Sequence, residues 1–260
     1  MIASSPEIIL DVLHLRNVLG GRVVHDDVSF SVKRGEIVAI IGGSGCGKTT
    51  LLRSILRLIV PTAGTIKVFG EDIATLSEGA FLKLQQRWSV MFQGAALFSA
   101  LTVLENVMYV LNEYSGLSAQ AQIEIAKIKI LMSGLELEAA NKYPAELSGG
   151  MKKRAAMARA IALDPELIFL DEPTTGLDPK SATGLDELIL SMRDNLGLTF
   201  VMVTHDLDTL WRVPDRVIFL GDGNVLANAP MRDLFHNTHP LIRAYFSGQR
   251  AMRSQNGREG

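Results

Sequence analysis

The chain has 260 residues, 47% of them apolar and 21% charged, with a net charge of −2. That is a globular composition with enough chain for a core, and it lacks the basic excess of a nucleic-acid binder, so no nucleic-acid partner is expected. A single cysteine, Cys46, excludes an internal disulfide and suits a reducing compartment. Met1–Leu10 lacks the basic start and long apolar stretch of a signal peptide. No segment approaches the ~20 apolar residues that cross a bilayer, so the membrane part of any membrane process falls to other chains.

Spaced apolar residues predict strands over Ile8–Leu15 and Val28–Val32, with Gly20-Gly21 turning between them. Glu36–Ile41 is a short apolar run of the kind found in strands buried on both faces. It leads into the glycine-rich loop Gly42–Gly47 and a helix over Lys48–Leu58 that Pro61 stops. Thr65–Phe69 reads as another strand before the turn Gly70-Glu71-Asp72. From about residue 94 to 147 the pattern is helical with polar joints. Thr102 and Glu105 make a capping box ahead of an apolar run to Tyr114, and Ser118 caps a helix that stops at Gly134. Met151–Leu163 is strongly helical. Leu167–Leu170, Ser181–Leu196 and Thr199–Val203 then alternate strand, helix, strand, the order of a parallel α/β sheet. Arg216–Leu220 and Val225–Ala227 close a hairpin around Gly221-Asp222-Gly223. From about 238 the tail is polar and basic, with Arg243, Arg250, Arg253 and Arg258.

Gly42-Gly43-Ser44-Gly45-Cys46-Gly47-Lys48-Thr49 fits G-x-x-x-x-G-K-[ST] and lies between a predicted strand and a predicted helix, the context that motif requires. Glycines let the backbone approach phosphate, successive N–H groups turn inward, and the helix adds its positive end. Lys48 is placed to reach the β/γ-phosphates and Thr49 to bind Mg²⁺, with Thr50 completing the nucleotide-binding set. Cys46 reads as a small filler of the loop, or, more sharply, as a thiol activated at a helix N-terminus.

Leu167–Leu170 runs into Asp171 and Glu172. Asp171 is placed to hold the Mg²⁺ shell and Glu172 to polarise an attacking water, since phosphoryl transfer asks for positioning and charge compensation. A solvated turn is the plainer reading of two adjacent acids. Thr204-His205-Asp206 follows the next strand, where open α/β sheets bind ligands, so His205 is either structural or a γ-phosphate contact.

Leu147-Ser148-Gly149-Gly150-Met151 precedes a basic, alanine-rich helix, with Asp171-Glu172 about two dozen residues on. This resembles the LSGGQ signature of ABC ATPases, with Met151 in place of glutamine. Gln93 matches the Q-loop glutamine, Gly176-Leu177-Asp178 the D-loop and His205 the switch histidine, over about residues 8 to 235. The resemblance implies an α/β fold: a RecA-like P-loop NTPase core with an N-terminal antiparallel β-subdomain and a helical insert. The implied division is residues 1–92 for the β-subdomain and first part of the core, 93–158 for the Q-loop and helical signature subdomain, 159–237 for the rest of the core, and 238–260 for the tail. It also implies ATP hydrolysis coupled to transport, with Glu172, His205 and Gln93 catalytic and Mg²⁺ held by Thr49, Gln93 and Asp171. Two ATPs would be sandwiched in a homodimer, each between the phosphate loop of one copy and Ser148, Gly149 and Gly150 of the other, with Asp178 at the dimer D-loop. Lys152, Lys153 and Arg154 read as a solvated helix face that adds positive field near the nucleotide. One departure stands out: Val18-Leu19-Gly20-Gly21 offers Leu19 where ABC ATPases usually stack adenine on an aromatic ring.

Phe92-Gln93-Gly94-Ala95-Ala96-Leu97-Phe98 and Leu101-Thr102-Val103-Leu104-Glu105-Asn106-Val107 are similar to the Q-loop region of the Mla/Mce lipid-transport ATPases. Met151, Arg154–Ala160 and the tail stretch His239–Phe246 point the same way. That resemblance implies phospholipid movement at the cytoplasmic face of a bacterial inner membrane. The implied partners are a transmembrane permease (MlaE-like), an Mce lipid-binding protein and a STAS-domain subunit, with a permease helix docking near Leu97, Phe98 and Leu101. The alternative is the ATPase of an importer for a small polar solute such as an amino acid.

Overall fold

The computed structural model describes residues 7–256, with side chains through residue 248. Arg258, the side chains of Arg250 and Arg253, and residues 1–6 of the Met1–Leu10 stretch lie outside the described residues. The chain forms two units, one of residues up to 76 together with those from 203 on, the other of residues 77–202. In chain order the first unit opens with β1 (Ile8–Leu19), β2 (Arg22–Lys33), β3 (Ile37–Gly42), α1 (Lys48–Ile55), β4 (Ala63–Val68) and β5 (Glu71–Asp72). The second holds α2 (Glu78–Gln85), β6 (Trp88–Met91), α3 (Val103–Tyr114), α4 (Ala119–Met132), α5 (Gly149–Ala160), β7 (Leu167–Asp171) and α6 (Pro179–Leu196). β8 (Thr199–Val203) carries the chain back, and α7 (Leu207–Arg212), β9 (Arg216–Gly221), β10 (Asn224–Ala229), α8 (Met231–Phe235) and α9 (Pro240–Asn256) complete the first unit.

In the first unit the strand order is β5-β4-β1-β2-β10-β9-β3. β1 and β2 form a long antiparallel hairpin whose tip, Gly20-Gly21, takes φ of 56° and 78°, a turn conformation open to glycine. Both strands outrun the expected Ile8–Leu15 and Val28–Val32. The polar residues beyond those limits continue the ladder, because Asn17 and His25 face each other in the interior and hydrogen-bond at 2.9 Å. β3 runs parallel to β9, and all six of its residues are buried, as its unbroken apolar sequence requires. β9 and β10 form the expected hairpin. The Arg216 guanidinium of β9 grips the Glu36 carboxylate and the Ser31 carbonyl at the entry to β3. α1 is shorter than the expected Lys48–Leu58, since Arg57 turns left-handed at φ 57° and ends it.

In the second unit the strand order is β8-β7-β6, with β6 parallel to β7. α2 and β6 fill residues 73–92, a stretch with no expected element. α2 buries only Leu84, so it lacks the apolar stripe that marks a helix in sequence. α3, α4 and α5 share a core of Val103, Val107, Leu111, Ala126, Ile130 and Ala155, where alanines let α5 approach closely. The capping box closes as expected: Thr102 Oγ1 accepts from Glu105 N at 3.2 Å, and Glu105 Oε2 accepts from Thr102 N at 2.7 Å. Ser118 caps α4, and Gly134 follows its end at φ 75°.

Asn106 is fully buried on α3 and holds the loop before it. Its Oδ1 accepts from Phe98 N at 2.8 Å, and its Nδ2 serves the carbonyls of Phe98, Leu101 and Thr102 within 3.1 Å. Asn106→Leu should therefore cost about 2 kcal/mol, the penalty for stranding such groups. It should appear as a lower urea midpoint at unchanged slope. A midpoint equal to that of the parent chain would show that the loop does not depend on this residue.

Candidate nucleotide site

The phosphate loop leaves β3 at Gly42, whose φ of 152° and crowding by the Leu220 carbonyl and Cys46 Sγ leave no room for a side chain. Gly43, Ser44 and Gly45 are exposed, and Cys46 is half-buried among them. The loop ends at Gly47, the N-cap of α1, with φ 99° and no side chain to cap the helix. The first N–H groups of α1 thus have no side-chain acceptor, the condition under which a helix start takes an anion. Lys48 folds back so that Nζ donates to the Gly42 carbonyl at 2.8 Å and the Gly43 carbonyl at 3.0 Å, holding its charge over the loop. A cavity of about 550 Å³ borders the loop, lined by Val24, Gly43–Cys46, Gly223 and Tyr245 of α9. The bare loop, the uncapped start of α1 and the Lys48 ammonium have the chemistry that suits a phosphate chain. Thr49 and Thr50 follow in the first turn of α1, and His205 is exposed at the end of β8, just before the Asp206 cap of α7. Leu19, at the hairpin tip, is 40% exposed.

Sequence reasoning missed His25. Counting back in steps of two from Val32 and Phe30 places Asp26 inside, but the register shifts along β1–β2 change the phase and bury His25 instead. Asn17 Nδ2 lies 2.9 Å from His25 Nδ1 and 3.1 Å from Ser54 Oγ, and Ser54 Oγ donates to the Thr50 carbonyl at 3.0 Å. Since the Ser54 hydroxyl hydrogen is used there, its oxygen accepts from the Asn17 amide, which orients that amide as donor to His25. His25 Nδ1 is therefore an acceptor, and the ring proton sits on Nε2, against Gly47. A side chain at Gly47 would strike that nitrogen and Val24 Cγ1. Burial pushes the His25 pKa down, with the Gly47 backbone opposing it in part.

In the second unit, β7 delivers Asp171 and then Glu172, which turns left-handed at φ 49°. Glu172 Oε2 accepts from Thr175 Oγ1 at 3.0 Å. Ser148 caps α5, accepting from Met151 N at 3.2 Å. A Cβ on Gly149 would lie 3.4 Å from Leu177, and one on Gly150 would lie 3.1 Å from Ser181 Oγ, so the glycines seat the tip of α5 against the start of α6. Asp178 caps α6 through Ser181 N at 3.0 Å and Ser181 Oγ at 2.6 Å, bonds that hold its carboxyl below the usual carboxylate range. The fold thus joins the signature tip to the D-loop. Met151 packs against the helical core, which accounts for an apolar residue at that position.

Lys153 and Arg154 are not on the solvated face expected of Lys152–Arg154. α5 lies between α4 and α6, so Lys153 is buried and the Arg154 guanidinium donates to the carbonyls of Ser133 at 2.9 Å and Gly184 at 3.0 Å. Gln93 is exposed just after β6, in a loop where Ala95 and Ala96 take φ of 62° and 47°. Arg159 of α5 donates to both their carbonyls, at 3.0 and 2.7 Å, and lies 5.8 Å from the Phe98 ring centre. Phe98 is 45% exposed against Tyr109, whereas Leu97 is packed on the helical core.

The sequence profile of the ABC transporter family matches residues 25–175, more than half of the chain. The chain belongs to the ABC transporter family. Among its relatives, the intermembrane phospholipid transport system ATP-binding protein MlaF of Escherichia coli (strain K12) is 39% identical over 240 residues, 92% of this chain and 89% of that one. MlaF of Haemophilus influenzae is 36% identical over 241 residues, 93% of this chain and 91% of that protein. The methionine import ATP-binding protein MetN of Caulobacter vibrioides is 39% identical over 222 residues, 85% of this chain but 65% of that one. In structure, the ATP-binding cassette MJ0796, solved as a dimer in a post-hydrolysis state with ADP and Pi, superposes with a TM-score of 0.77 at 32% identity, covering 86% of this chain and 99% of that one. The cbiO1 protein of Clostridium perfringens, part of the ABC transporter complex cbiONQ, reaches 0.81 at 28% identity, covering 94% and 99%. This ABC cassette is thus an ATP-binding subunit with the α/β fold of its family and its ATPase activity. Among the described residues no helix is long and apolar enough to cross a membrane.

The buried histidine gives the ABC cassette a pH signature. Because the folded-state pKa is depressed, the stability contribution is intact above the ordinary value of 6.5 and is lost as the unfolded chain takes up a proton below it. Thermal stability should fall between about pH 7 and pH 5, and His25→Gln, neutral throughout, should flatten that limb. An acid limb of unchanged slope in the variant would assign the loss to other groups.

Proposed function

We propose that this chain is the ATPase of a phospholipid-transport ABC machine, bound as a homodimer to a transmembrane permease at the cytoplasmic face of a bacterial inner membrane. The observation that carries this reading is the near full-length similarity to MlaF, which spans 89% of the Escherichia coli protein, against 65% for MetN. A permease of the MlaE kind, an Mce lipid-binding protein and a STAS-domain subunit complete the proposed assembly. The Mla-like Q-loop stretch Phe92–Phe98 and Met151 support it as well.

In the proposed cycle each ATP is gripped by Gly42–Thr50 of one copy and by Ser148, Gly149 and Gly150 of the other. Both grips use N–H groups at helix starts, which favour anions. Glu172 polarises the attacking water and His205 meets the γ-phosphate, with Gln93 completing the catalytic set and Asp178 standing at the dimer D-loop. Thr49, Gln93 and Asp171 offer a hydroxyl, an amide carbonyl and a carboxylate, the hard oxygen donors that suit Mg²⁺. When bound there, the ion would offset phosphate charge. Lys48 supplies charge compensation from the protein itself. Switching a two-state permease from mostly one state to mostly the other takes on the order of 5 kcal/mol of differential binding, which closure over two nucleotides would provide.

Glu172→Gln should keep ATP binding, cut phosphate release by about a hundredfold or more, and accumulate an ATP-bound dimer on gel filtration. A variant that stays monomeric and turns over ATP at the parent rate would sink the scheme. The permease contact is tested separately. Phe98→Asp should lose the permease on co-purification while nucleotide affinity is unchanged, and recovery of the intact complex would remove Phe98 from the docking surface.

A further inference from the structure

Lys153 lies in the second turn of α5 and is 5% exposed, an unusual place for lysine. Its ammonium takes no carboxylate as its hydrogen-bond acceptor. Nζ donates instead to two backbone carbonyls, those of Gln93 and of Glu172, the latter at 3.2 Å. Those are the loop residue after β6 and the acid after β7, so one side chain ties two segments far apart in sequence to the helix that begins at Ser148.

The Glu172 acceptor sits in strained backbone, and at Gln93 the strain begins two residues further on. Glu172 is left-handed at φ 49°, and Ala95 and Ala96, just after Gln93, are left-handed at 62° and 47°. A residue with a Cβ holds such a conformation only where its surroundings enforce it. At Glu172 the Thr175 amide reaches the same carbonyl at 3.4 Å, and the Thr175 hydroxyl reaches the carboxylate at 3.0 Å. Both of those bonds are local to the turn, whereas Lys153 links it to α5. Burial lowers the Lys153 pKa, and the charges of Asp171 and Glu172 oppose that lowering.

We infer that Lys153 is a positioning residue for ATP hydrolysis, fixing the Glu172 backbone and the Gln93 loop to the helix whose tip is Ser148–Gly150, so that tip, loop and acid move as one piece. The inference rests on the reading of Glu172 as the residue that polarises water. It adds a residue that touches neither nucleotide nor water.

The test compares Lys153→Met and Lys153→Arg with the parent in the full chain. Nucleotide affinity is read with a fluorescent ATP analogue, turnover by phosphate release, and backbone order by hydrogen exchange over residues 93–98 and 172–176. Lys153→Met should leave affinity within about twofold while kcat falls about tenfold to a hundredfold, the cost of misplacing a catalytic group. Exchange should rise in both segments together, and Lys153→Arg, which keeps donors and charge, should recover most of the rate. A merely structural lysine would instead lower kcat in step with the folded fraction and leave the per-molecule rate intact, which would overturn the inference. If Lys153→Met does not fold, Lys153→Gln takes its place, and a parent-like kcat with parent-like exchange in that variant overturns it equally. Glu172→Gln runs beside them. If it keeps full turnover, the underlying reading of Glu172 fails. If it is dead while Lys153→Met is fully active, only the present inference fails.

Discussion

The loop between β3 and α1 offers an anion main chain rather than a crowd of cations, and that constraint shapes much of the first unit. Gly42 and Gly47 take φ of 152° and 99° with no space for a Cβ, because Leu220 and Cys46 crowd the first and His25 and Val24 the second. A loop so bare has little to hold its shape. Its support comes from beneath: β3 buried along its whole length, the Arg216–Glu36 grip at its entry, and the relay from His25, packed against Gly47, through Asn17 and Ser54 to the Thr50 carbonyl of α1. The relay needs a neutral histidine, since Nδ1 must accept. The anion-binding loop is thus braced by a group whose protonation would break the brace.

The second unit solves a related problem in another way. Its turns at Glu172 and Ala95–Ala96 are left-handed at residues that carry side chains. Each such residue costs on the order of 1–2 kcal/mol, so the conformation persists only if it is held. The holds are cations whose hydrogens go to carbonyls, Lys153 to Gln93 and Glu172 and Arg159 to Ala95 and Ala96, while Arg154 ties the helix in the same way to Ser133 and Gly184. All three belong to α5. The basic character that Lys153, Arg154 and Arg159 give this helix is internal wiring.

What the sequence disclosed follows the reach of each interaction. The Thr102–Glu105 capping box, the Ser118 cap and the stop at Gly134 close within a few residues, so they are legible as local chemistry. The run Thr199–Val203 is apolar throughout, and its strand has those ends. The phosphate loop carries its glycines in the order the backbone needs. Long-range effects were hidden. The inward turn of His25 depends on register shifts against β1, and the burial of Lys153 depends on where β6 and β7 end. α2 shows no apolar stripe because it buries a single leucine. In a basic helix, lysines that hold carbonyls and lysines in water have the same one-dimensional pattern, and only the packing of α5 between its neighbours separates them.

The arrangement along α5 bears on coupling. A helix rises about 1.5 Å per residue, so the twelve residues Gly149–Ala160 span roughly 18 Å. At one end Ser148 caps the tip seated on Leu177 and Ser181; in the second turn Lys153 holds Gln93 and Glu172; near the far end Arg159 holds Ala95 and Ala96 beneath Phe98. The loop that presents Phe98 is therefore fastened to α5 at both Gln93 and Ala95–Ala96, and Asn106 fastens its other end to α3. A loop pinned this way has little freedom to absorb a displacement of α5. Any movement imposed on the signature tip must pass either into a shift of the whole loop or into breaking the bonds of Lys153 and Arg159 to its carbonyls. In the proposed cycle, a rod with the proposed ATP contact at its tip and the Phe98 loop bound along its flank would turn nucleotide occupancy into motion at the Phe98 surface.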